Sequence, residues 1–83
     1  MTSEEMEAGT QPLDALLERV GINNHALVAA STVPLTHKEV AKARKGRKLT
    51  ARTQKRVVAA LNATGADGTP FAFDAVFNYV GRS

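Results

Sequence analysis

The stretch Leu35-Thr-His-Lys-Glu-Val-Ala-Lys-Ala-Arg-Lys-Gly46 carries the decisive local signals of this chain. Thr36 stands three residues before Glu39, the spacing of a capping box, in which a hydroxyl serves the amide of Glu39 and a carboxylate serves the amide of Thr36. Val40 and Ala43, at i and i+3, are the residues suited to face inward. Every other position through Lys45 except Ala41 is polar or charged. The pattern predicts a helix over residues 36–45 that rests on the domain along a narrow apolar edge and turns a broad basic face outward. Gly46 supplies its stop, because glycine adopts the left-handed conformation at a helix C-terminus.

Charge is concentrated around this stretch. Residues 1–35 hold one base and five acids, a net −4. Residues 36–56 hold nine bases and one acid, a net +8, and residues 57–83 carry −1. Clustered positive charge of this kind is the electrostatic footprint of a polyanion partner.

The flanks also read as helices. Pro12 suits the first turn of a helix, where no backbone donor is needed. Leu13, Leu16, Leu17 and Val20 form one apolar stripe, and Gly21 ends it. Asn23 is a good N-cap for a second helix running to about Ser31. Pro34 disfavours helix at Val33, so a turn follows. Thr50 caps a fourth helix to about Asn62, with Gln54, Val57, Val58 and Leu61 on one face. Residues 69–80 are ambiguous: Phe71, Phe73, Ala75, Phe77 and Tyr79 alternate like a strand, whereas Phe73, Val76, Phe77 and Val80 fit helical spacing. Thr69-Pro70 offers a helix start, and a short helix over about 74–79 suits the helical company of the other elements. All three Phe and the single Tyr lie here. They form a core cap, a dimer interface, or both, with Phe71, Phe73, Phe77 and Tyr79 as the interface candidates.

At 83 residues the chain is one domain with a modest core. It has no cysteine, which excludes disulfides and thiolate metal sites. The acidic start at Glu4, Glu5 and Glu7 is unlike a signal peptide, and no apolar run is long enough for a bilayer, so a cytoplasmic protein without a membrane partner is expected. His25 and His37 lie on different helices, and no phosphate loop, nucleophile motif or metal-ligand spacing accompanies them. No catalytic residue, metal, cofactor or small-molecule substrate is therefore expected, and His25 reads as a surface or capping residue.

The order of these parts carries a resemblance. Residues 12–64 resemble the Cro/phage-repressor type of helix-turn-helix, also called the XRE family. The marks are Gly21-Ile-Asn-Asn24 before the second helix, Leu27-Val28 within it, and Leu35-Thr36 opening the third. Val40, Lys42 and Gly46-Arg-Lys48 follow, and Leu49-Thr50 leads into a fourth helix that ends at Ala60-Leu61. Three features depart from the family pattern: a turn over 31–35 about two residues longer and holding Pro34, Val28 in place of a small residue, and Arg44 where an acid is frequent. A Lac-repressor register, with Thr50–Leu61 as its third helix, leaves no room for a recognition helix after Val40-Ala41.

The resemblance implies an all-α fold, a compact bundle of four to five helices of the lambda-repressor-like helix-turn-helix type. It places a DNA-binding unit over 11–64, between a tail over 1–10 read as disordered from its lack of a periodic apolar pattern and the aromatic segment over 65–83. It further implies a bacterial or phage transcription regulator that binds double-stranded DNA sequence-specifically as a homodimer. In that pattern the helix over 36–45 enters the major groove and His37, Lys38, Ala41 and Lys42 face bases. Asn24, Thr36, Lys45, Arg47, Lys48 and Arg52 are then the backbone-contacting set. The alternative is an antitoxin or adaptor whose aromatic C-terminal segment grips a protein partner. RNA binding is less favoured, because single-strand readers interleave aromatic and basic residues and this chain separates them.

Overall fold

The computed structural model describes residues 9–47, 49–65 and 70–81. Within them lie five helices and no strand: α1 (Pro12–Val20), α2 (Asn24–Ala30), α3 (His37–Lys45), α4 (Ala51–Ala63) and α5 (Phe73–Val76). The expected all-α architecture is present. The tail expected over residues 1–10 lies, for residues 1–8, outside the described residues, as do Lys48 and Thr69. Among the described residues no helix is long and apolar enough to cross a membrane.

Local chemistry sets most of the helix ends. Pro12 opens α1, and Gly21 closes it in the left-handed region at φ 73°. The Asn23 side chain accepts from the Ala26 amide at 2.8 Å and starts α2. Ser31 then bonds both the amide and the carbonyl of Val33, which holds the turn in place of backbone pairing. Thr50 caps α4 by accepting from the Thr53 amide at 3.2 Å.

The core gathers Leu13 and Leu17 from α1, Leu27 from α2, Val40 and Ala43 from α3, and Val57 and Leu61 from α4, all fully buried. Burying each Leu contributes roughly 1.5–3 kcal/mol, so α1, α2 and α4 are held mainly by apolar area. α3 contributes only a valine and an alanine, the narrow edge that its sequence predicts.

The C-terminal segment differs from its expected course. A helix over 74–79 gives way to one turn, Phe73–Val76, and Phe77 is already extended at φ −127°, ψ 144°. Buried or half-buried side-chain amides bond the backbone on either side of this turn. Gln11 Oε1 accepts from the Asn78 amide at 2.8 Å. Gln54 Oε1 accepts from the Gly81 amide at 2.7 Å, and Gln54 Nε2 donates to the Tyr79 carbonyl at 3.1 Å. Asn62 pairs with both backbone groups of Phe71. Gln11 and Gln54 are themselves buried, so these bonds also settle their own polar atoms.

Two close approaches complete the frame. The Gln11 amide donates to the Arg44 carbonyl at 2.9 Å, which joins the entry to α1 with the end of α3. Gly46 ends α3 at φ 75°, and a Cβ there would overlap the Gly9 carbonyl oxygen. Any side chain at Gly46 would be strained on both counts.

Candidate nucleic-acid interface

α3 is positioned by its cap as well as its core edge. Thr36 Oγ1 accepts from the Glu39 amide at 3.0 Å, and the Thr36 amide donates to Glu39 Oε1 at 2.9 Å. Both halves of the expected capping box are therefore made. Val40 and Ala43 face inward, while His37, Lys38, Lys42 and Lys45 stand exposed and Ala41 is half-buried.

Lys38, Ala41, Lys42, Lys45 and Arg47 line one shallow depression of about 220 Å³. The structure thus brings together three of the four expected base-facing residues and two of the expected backbone-contacting ones. Lys38, Lys42 and Lys45 make no ion pair with a described residue. Their charges face outward without internal neutralisation, which is what attraction of a polyanion requires.

His37 lies apart from this depression. Its ring stacks on that of His25, with centroids 5.5 Å apart and planes 20° apart, and His37 Nε2 lies 3.4 Å from His25 Nδ1. His25 is thus the neighbour that holds the first residue of α3. Twelve residues separate the pair on different helices, and nothing in the local sequence signals the contact.

Asn24 and Arg44 form a second unit. Arg44 donates from Nε to Asp14 Oδ1 at 2.6 Å and from Nη1 to Asn24 Oδ1 at 2.8 Å, and its Nη2 lies 3.7 Å from Glu18 Oε2. The Arg44 charge is therefore spent on α1 and α2 rather than offered outward. Asn24, expected to meet a phosphate, has its side-chain oxygen already engaged. Arg52 also stands apart: it lines a separate groove with Lys55 and Arg56. Thr36 is exposed, and Lys48 lies outside the described residues.

No family model, curated protein or solved structure matches this chain. Among the described residues no group of three His, Cys, Asp or Glu side chains is arranged to hold a metal ion.

The aromatic segment is turned largely inward. Phe77 is 1% exposed and packs beside Phe73 and Tyr79, with ring centroids 5.5 and 5.9 Å away. Phe77 belongs to this domain's own core, the capping role that the sequence offers for this segment beside a dimer interface. Phe71, Phe73 and Tyr79 remain half-buried. The Tyr79 hydroxyl donates to the Arg47 carbonyl at 2.8 Å, so the segment also braces the loop after α3.

Proposed function

We propose that this chain is a helix-turn-helix regulator that binds double-stranded DNA, with α2 and α3 as the reading pair and α3 in the major groove. The observation that carries the reading is the face of α3. Three exposed, unpaired lysines and Arg47 surround Ala41 on a helix held to the domain by a narrow apolar edge. The major groove admits such a helix and displays a distinct donor and acceptor pattern for each base pair. Lys38 and Lys42 donate to guanine O6 and N7, Ala41 meets a thymine methyl, and His37 donates or accepts at the helix start. Lysine is a flexible point donor, so the set favours guanine without fixing a sequence.

Lys45, Arg47, Lys48 and Arg52 meet phosphates on the flanks, with Thr36 and the amides at the start of α2 beside Asn24. A homodimer places two such helices on half-sites one helical turn apart, about 34 Å. The antitoxin or adaptor reading relies on an outward aromatic segment, and the buried Phe77 weakens its support. Titration of a fluorescent duplex, with the mass of the free protein from light scattering, tests the proposal. Saturable binding by a dimer is expected. A protein that binds no duplex at 50 mM salt contradicts it.

A further inference from the structure

The basic block divides between two surfaces, and the second has a different character. Arg52, Lys55 and Arg56 on α4 border an open groove of about 470 Å³ with Val33, Ala51 and Ala59. None of the three cations pairs with a described residue, and no acid lines the groove. Val33 is 40% exposed and is one of two large aliphatic residues left exposed among the described ones, with Val80.

The α3 depression offers one alanine among its cations, whereas this groove joins cations to an aliphatic floor. A sugar–phosphate chain supplies the anions but no free aliphatic side chain. A peptide supplies both. Ala51 to Ala59 spans about 12 Å along the α4 axis, the length of about four extended residues.

We propose that this groove docks an acidic segment of a partner protein, about four residues long, with one aliphatic side chain seated on Val33, Ala51 and Ala59. Its carboxylates pair with Lys55 and Arg56, and Arg52 is left to the DNA phosphates. The stems of these long side chains extend the apolar contact while their charged heads stay in water. Charge complementarity selects the partner, and the floor separates it from nucleic acid. The surface is small, so a dissociation constant on the order of 10–100 μM at low salt follows.

The test uses the full chain and a fluorescein-labelled peptide Gly-Asp-Glu-Leu-Asp-Gly, a stretch foreign to this chain with one aliphatic residue between carboxylates. Anisotropy should show saturable binding. Lys55→Gln with Arg56→Gln should weaken it by about tenfold, and Val33→Ser by at least about threefold, with helicity retained by circular dichroism. Both variants should keep duplex affinity within about threefold at 0.15 M salt, where screening is strong beyond ~8 Å. A peptide with Ser in place of Leu should bind more weakly. The proposal is overturned if the peptide does not bind at millimolar concentration or the groove variants leave its binding unchanged. Equal affinity for the Ser peptide overturns the apolar seat. A large loss of duplex affinity with intact peptide binding returns the groove to the DNA surface.

Discussion

Arg44 reaches from α3 to Asp14 on α1, with its Nε 2.6 Å from Oδ1, and the same guanidinium holds Asn24 at the start of α2. One side chain therefore fixes the mutual placement of three helices. Both partners of the pair are partly shielded, with side chains 20% and 33% exposed.

Arg44→Met should destabilise the domain by about 1.5–3 kcal/mol, the range for hydrogen bonds to charged groups. Urea unfolding followed by circular dichroism measures it. A midpoint equal to that of the unmodified chain would show that the triad adds nothing to folding.

Gln54 is buried and serves the backbone of Tyr79 and Gly81. Gln54→Leu keeps approximate volume but leaves those backbone groups without their partner. A loss of roughly 1–3 kcal/mol is expected, with hydrogen exchange accelerating first at Gly81. Unchanged protection at Gly81 would contradict the role assigned to this amide.

Burial pushes the Tyr79 hydroxyl above the usual tyrosine range. The unfolded chain then loses its phenolic proton first. The neutral form's contribution is fully present below pH about 10 and is lost as pH rises through the folded value. Tyr79→Phe should cost about 0.5–1.5 kcal/mol at neutral pH, through the lost bond to the Arg47 carbonyl, and should flatten part of the alkaline fall. Parallel alkaline curves for the two proteins would remove Tyr79 from the explanation.

Local signals made four helices legible from the sequence. Pro12 and Gly21, Asn23, Thr36 with Glu39, Gly46, and Thr50 each act within a few residues of themselves, and each sets a helix end. The α3 face was legible for the same reason, since Val40 and Ala43 leave only one way to turn the lysines. What the sequence hid depends on long-range partners. Gln11 meets Asn78 across 67 positions, Arg44 meets Asp14 across 30, and His25 meets His37 across 12. The one-turn α5 was hidden too, because side-chain amides take up backbone groups that helical periodicity cannot count.

Electrostatics should dominate affinity for DNA. With three or four phosphate contacts per protomer, a dimer should show a log–log salt slope of roughly −5 to −7. A slope near zero would sink the electrostatic account while leaving the fold untouched.

Selection of bound duplexes from a random pool, with Lys42→Ala alongside the unmodified chain, decides whether α3 reads bases. An enriched, two-fold symmetric motif with half-sites about one turn apart is expected. Lys42→Ala should relax one base position per half-site, at a cost of ~1–3 kcal/mol. A pool that stays random, or a motif whose preferences are identical in the Lys42→Ala variant, would contradict the placement of α3 in the major groove.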